Sequence, residues 1–211
     1  MRTTVCLLGL LLICQSCFFL GPSPKKRLQR IHDIQPIDVA IVPGLPLKQG
    51  QWDTLLKTRM LWSEFLVKKG YVKHVLYSGD AVYTPWMEGP SMALMARQLG
   101  IDSTQILIDT LAQHSTENLY YGYLQAKASG CKTIAVATDP FQCAMLHKFA
   151  KKHFDEEIYF LPVVYDSIIA RTSVEVMIDT TLTKKKQFLS LEERQTYRER
   201  LKGTRGKEIK K

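Results

Sequence analysis

The 211-residue sequence predicts an α/β fold, a mainly parallel sheet with helices on both faces of a single domain. Three observations predict it. Short apolar runs of strand length recur along the chain, segments with helical spacing separate them, and the runs discharge into Gly, Pro, Ser or Asp. Strand alternating with helix is the order that parallel strands and their crossovers require. An apolar fraction of 45% and a charged fraction of 23% are ordinary for a globular chain of a size that can bury one sizeable core.

The elements follow in order. Asp38–Gly44, "DVAIVPG", is a short apolar run bounded by Pro and Gly, which suits a buried strand. Between Trp52 and Lys68, Leu55, Leu56, Arg59, Met60, Trp62 and Leu66 recur at helical spacing. "HVLYSGD" reads as a second strand stopped at Gly79, and Ser91–Leu99 as a helix after Pro90. "QILID" is a third strand, and "STENLYYGYLQAKASG" a helix closed by Gly130. "KTIAVATDP" is the fourth strand, Phe141–Lys152 a helix, and "EIYFLPVV" the fifth strand. Residues 18–37 read as a linker, 38–183 as the α/β domain, and 184–211 as a basic polar tail with one helix from Leu191 to Leu201.

The net charge of +9 sits at the ends. Residues 1–37 hold five Lys and Arg against one acid, and residues 184–211 hold eleven against four. A nucleic-acid binder shows its basic residues across a folded face, so that class is disfavoured, and basic ends suit a membrane surface instead. At residues 1–17 a basic Arg2 precedes an apolar run, Val5–Ile13, that ends in Gln15-Ser16-Cys17. That is the layout of a secretory signal. It also resembles a lipoprotein signal, in which a small residue precedes the Cys that receives the lipid, and this makes Cys17 the expected lipidation site. The alternative is an uncleaved anchor, against which Lys25, Lys26, Arg27 and Arg30 downstream speak if the body lies outside the cytoplasm. Of the five cysteines only Cys131 and Cys143 lie in the body, with no zinc spacing, and they read as two separate small side chains.

In a parallel sheet the ligand lies beyond the carboxyl ends of the strands. Those ends carry Pro43-Gly44, Ser78-Gly79-Asp80, Asp109 followed by "HSTEN" (His114–Asn118), and Thr138-Asp139. Each has an ordinary structural account. Ser115 or Thr116 suits an N-cap, Gly79 a turn, and Asp139-Pro140 a helix start. Their shared rim points to a site, because capping does not require acids on successive loops. A helix start at "HSTEN" offers unpaired N–H groups to an anion, Glu117 suits the dipole of its first turn, and Asn118 would orient a ligand. Arg59 is the expected basic partner.

This residue order resembles the bacterial group that contains SanA, ElyC and YdcF. The motifs that carry the resemblance are Asp38 through Gly44, then Arg59, Ser78-Gly79-Asp80, Glu88 with Met92, Ser115-Thr116-Glu117-Asn118, and Ala137-Thr138-Asp139. The resemblance runs from Asp38 to about Val164. After the fourth strand that group carries a His and, three residues on, an Arg, where this chain has Gln142 and Met145. The resemblance implies a Rossmann-like domain in the bacterial cell envelope. It also implies a pocket for a phosphorylated or nucleotide-like molecule, and the likeness to YdcF implies a ligand of the S-adenosylmethionine type.

The expected ligand-binding residues are Gly44, Arg59, Ser78, Gly79, Asp80, Ser115, Thr116, Asn118, Thr138 and Gln142. The residue order sets no particular cofactor. It lacks the G-x-G-x-x-G of dinucleotide enzymes after the first strand. The expected partners are a small anionic ligand and a membrane, met through the N-terminal segment. An alternative is a hydrolase or transferase acting on a phosphate ester, with Glu88, Glu117 and Asp139 as catalytic carboxylates, and Asp80 beside them, serving as base or divalent-metal ligands. A third is a non-catalytic interaction protein with a degenerate pocket.

Overall fold

A computed structural model describes residues 23–34 and 36–209. Cys17 and the rest of the signal-like segment lie outside the described residues. The elements are α1 (Pro24–Ile34), β1 (Ile37–Pro43), α2 (Thr54–Lys68), β2 (Val72–Ser78), α3 (Glu88–Gln98), β3 (Ile106–Asp109), α4 (Ser115–Ala128), β4 (Ile134–Thr138), α5 (Pro140–His153), β5 (Ile158–Pro162), α6 (Tyr165–Ile168), α7 (Leu191–Arg194) and α8 (Tyr197–Thr204). The five strands form one parallel sheet in the order β3-β2-β1-β4-β5, as the alternation predicts. The order reverses between β1 and β4, where an open sheet of this kind splits its loops to opposite sides.

Side chains alternate across β1. Ala40 and Val42 enter the core beneath α2 and α3, while Val39 and Ile41 enter the one beneath α4 and α5. Both faces are covered, which is why the strands read as continuous apolar runs. On the second face Gly122 of α4 lies against Ile41, and a Cβ built on it would come within 2.9 Å of the Ile41 Cγ2. Gly122→Ala is expected to cost about 1–3 kcal/mol as overpacking, read as a lower urea midpoint at unchanged slope.

Local chemistry sets the helix starts. Asp53 accepts from the N–H groups of Leu55 and Leu56 at the start of α2. Asp139 caps α5 by accepting from Gln142 N–H, with Pro140 in the first turn, as the sequence implies. Two helices differ from expectation. Helix α3 begins at Glu88, three residues before Ser91, because Pro90 lies within the first turn, where a missing N–H leaves no bond unmade. At α4 neither Ser115 nor Thr116 is the cap. His114 holds that position without a side-chain bond.

The ends of the chain correct the expected division. Residues 24–34 of the linker are helical, and Leu28 of α1 is buried in the core. The expected single tail helix is two, α7 and α8, because Thr196 closes a capping box with Glu199 and starts a second helix. The tail is no appendage, since it straps the carboxyl edge of the sheet. Leu191 is fully buried and donates its N–H to Val82 O, Met87 N–H donates to Thr183 O, and Thr116 Oγ1 donates to Gly203 O. No helix among the described residues is long and apolar enough to cross a membrane.

Candidate functional site at the carboxyl edge

The sequence expects Gly44, Arg59, Ser78, Glu88, Ser115, Glu117, Asn118 and Asp139 to converge on one concavity. All lie toward the carboxyl edge, but they fall into separate groups, because side chains from neighbouring elements already satisfy most of them.

The first group sits at the reversal between β1 and β4. Arg59 reaches from α2 with 2% of its surface exposed. Its Nη1 donates to Pro43 O and Gly44 O at 2.9 and 3.2 Å, and its Nη2 donates to Asp139 Oδ2 at 2.7 Å. Burial lowers the guanidinium from the usual arginine range, and Asp139 opposes that shift. Burial also raises the Asp139 carboxyl, but the N–H of Gln142 and the charge of Arg59 outweigh it, so Asp139 lies below its ordinary value. Thr138 Oγ1 lies 2.6 Å from Gln142 Oε1, a shorter partner than Asp139 Oδ2 at 3.3 Å, and takes the amide as acceptor. Arg59 is therefore a clamp inside the protein, with both Nη groups engaged and its buried Nε left without a hydrogen-bond partner. Gln142 is likewise committed, as a buried partner of Thr138.

Glu88 stands beside this group. It is 5% exposed, and its Oε2 occupies the space that a Cβ would need at Gly44 and at Gly79, 2.4 and 2.7 Å from those built positions. Both residues must therefore be glycine, and Gly79 also has φ of 148°. Burial raises the Glu88 carboxyl to about 8, Arg59 opposes this, and Asp80 adds to it. The group is thus a neutral acid at pH 7, able to donate a proton.

The second group is Ser78, Asp109 and Asn118. Ser78 Oγ donates to Asp109 Oδ2 at 2.6 Å and lies 3.0 Å from Asn118 Oδ1, tying the ends of β2 and β3 to α4. Glu117 faces neither group. Its Oε2 accepts from Gln113 N–H at 2.8 Å and closes the loop before α4. Ser115 is half-buried in the first turn, and Thr116 is taken up by the strap. His114 Nε2 has no hydrogen-bond partner, and its ring presses on Gly203, where a Cβ would fall 2.2 Å from that nitrogen.

The third group contains residues that the sequence reading leaves in a solvated tail. Asp80 is buried, and Lys185 from the strap lies 2.5 Å from its Oδ1. Beside this pair is an open cleft of about 580 Å³ whose lining includes Asp80, Gln113, Lys185, Lys186, Phe188 and Arg194. Arg194 Nη1 donates to Gln113 Oε1 at 3.1 Å. The volume suits a small molecule, and three cations against one carboxylate make the wall electropositive. Only the clustering of basic residues after Thr183 could have signalled them, and that clustering reads equally well as a solvated tail.

Asp38, the first residue of the resemblance, is at the opposite edge. It accepts from Lys132 and Thr133 N–H and pairs with Lys73, and these hold its carboxyl far below the usual range. Its role is to staple the amino ends of β1, β2 and β4. Cys131 and Cys143 are both free and buried, as two separate small side chains. Among the described residues no cluster of three or more His, Cys, Asp or Glu is placed to hold a metal ion. No family model matches the chain, and neither a curated protein nor a solved structure matches it.

Proposed function

We propose that this is a protein of the bacterial cell envelope that binds a small anionic molecule, phosphorylated or nucleotide-like, at the carboxyl edge of its sheet. The observation that carries the reading is the cleft of about 580 Å³ in which Lys185, Lys186 and Arg194 face Asp80 and Gln113. Lys185 is bound to Asp80 and Arg194 to Gln113, so Lys186 is the cation with the most freedom to meet a ligand. The envelope assignment draws on the signal-like N-terminus with Cys17 and on the resemblance to the SanA, ElyC and YdcF group. The hydrolase or transferase alternative draws on one feature, the neutral acid at Glu88, which is the form a general acid needs.

Calorimetry of the full chain with pyrophosphate, nucleotides and S-adenosylmethionine tests the binding. Lys186→Ala is expected to weaken the best ligand by about 1.5–3 kcal/mol, the scale of a hydrogen bond to a charged group. Equal affinity in the variant would remove the cleft from the site.

A further inference from the structure

The large apolar side chains left in water are unevenly placed. Tyr83 follows β2, Leu111 follows β3, Phe141 follows β4, and Tyr165 and Ile169 follow β5, while Leu189 lies on the strap beside the cleft. Phe141 and Ile169 are 69% and 67% exposed. None of the exposed large apolar residues lies on the connections that enter the strands, residues 69–71, 99–105, 129–133 and 154–157. Leu124 on α4, Met145 within α5, Met177, whose carbonyl meets Gln98 at the far end of α3, Leu182 and Tyr197 on α8 are exposed outside this set. An apolar set of this kind, spread over successive loops and rimmed by cations, marks an interaction face.

The start of the described chain indicates what covers it. Lys25 in the first turn of α1 pairs with Asp166 of α6, directly after β5, so the described chain begins at this same edge. The sequence before it carries the apolar run Val5–Ile13 and Phe18-Phe19-Leu20. Lys25 and Lys26 beside that junction, with Lys185, Lys186 and Arg194 around the cleft, supply the charge that an anionic headgroup layer attracts. Aromatic side chains with basic neighbours are the composition of a membrane–water interface.

We propose that the carboxyl edge of the sheet is the face seated on an anionic lipid bilayer, so that the cleft opens toward the headgroups. This orientation rests on the reading that the N-terminal segment holds the chain at a membrane. Seating the edge there hides the exposed apolar side chains from water and places the site where a phosphate-bearing headgroup can reach it.

The test reconstitutes the full chain in vesicles of phosphatidylcholine and phosphatidylglycerol carrying bromine on the acyl chains, which quench nearby indole emission. Phe141→Trp and Ile169→Trp each add an indole at the carboxyl edge, and Lys132→Trp adds one at the amino edge. All three sites are exposed, so folding is retained and is checked by circular dichroism. The emission added at 141 and 169 should be lost, that at 132 retained, and the loss should shrink in vesicles of phosphatidylcholine alone. Vesicle-bound chain with quenching at 132, or at none of the three, overturns the orientation and leaves the anchoring reading standing. Chain that fails to float with vesicles overturns the anchoring reading and this inference with it. Shielding of residue 141 that rises with protein concentration in the absence of lipid assigns the face to a second copy and overturns the proposal.

Discussion

Arg59→Ala lowers the stability of the fold by about 3–5 kcal/mol, the cost of leaving one member of a buried ion pair alone. The truncation removes the donor to Asp139 Oδ2 and the donors to the carbonyls of Pro43 and Gly44 at once. All of these acceptors sit at the reversal of strand order, and Asp139 keeps the Gln142 N–H, a neutral donor, in place of the lost charge. The loss should appear in urea unfolding as a lower midpoint at unchanged slope. It carries a pH signature. The Asp139 carboxyl is depressed in the folded chain, so its contribution is present above the unfolded aspartate value near 3.9 and is lost as pH falls through the lower folded value. The wild type should therefore lose stability in acid that Arg59→Ala has already lost. An unfolding midpoint within error of wild type would show that Arg59 is not a clamp and would return it to the list of anion holders.

Glu88→Gln flattens the dependence of stability on pH between roughly 4.5 and 8. The folded carboxyl is raised from an ordinary value of 4.5 to about 8, so within this window the folded chain holds a proton that the unfolded chain has released. The sign follows from that difference. Stability is greatest below the unfolded value and falls as pH rises toward the folded one, by a total on the order of 4–5 kcal/mol. Glutamine matches the neutral acid in shape and cannot ionise, so the variant should match the wild type in weak acid and exceed it in alkali. Urea titrations at several pH values across the window decide it. Parallel profiles for the two proteins would mean that the Glu88 carboxyl ionises in its ordinary range, and the alternative of a general acid at that position would fall with it.

Both results bear on how the site differs from its expected form. Apart from Asp38, the carboxyl edge holds the residues that the resemblance singles out, yet Arg59, Asp139, Thr138 and Gln142 bond to one another. Gln142 accepts from a buried hydroxyl where the group that the sequence resembles carries a His, so this position keeps a structural bond and lacks a proton-transfer group. The proposed anion site draws its cations from the strap instead, Lys186 foremost, so the residues proposed to serve it differ from those the sequence singles out.

By itself the sequence determined the five strands, their parallel alternation with helices, and the helix start at Asp139. Each of these depends on residues within one turn or one strand of each other. An apolar run bounded by Gly or Pro, or a carboxylate two or three residues before a free N–H, is complete in a short window. Only the tertiary structure decided the partners of the charged residues. Arg59 meets Asp139 across 80 positions and Lys185 meets Asp80 across 105, and no local period encodes such a separation. It also decided that Glu88 is a buried neutral acid, since burial depends on the two glycines that fold against it. The same holds for the last segment. Locally it is polar and basic, as a solvated tail would be. What makes it a strap is tertiary contact: Leu191 is fully buried with its N–H on Val82 O, and Thr183 O and Gly203 O accept from Met87 and Thr116.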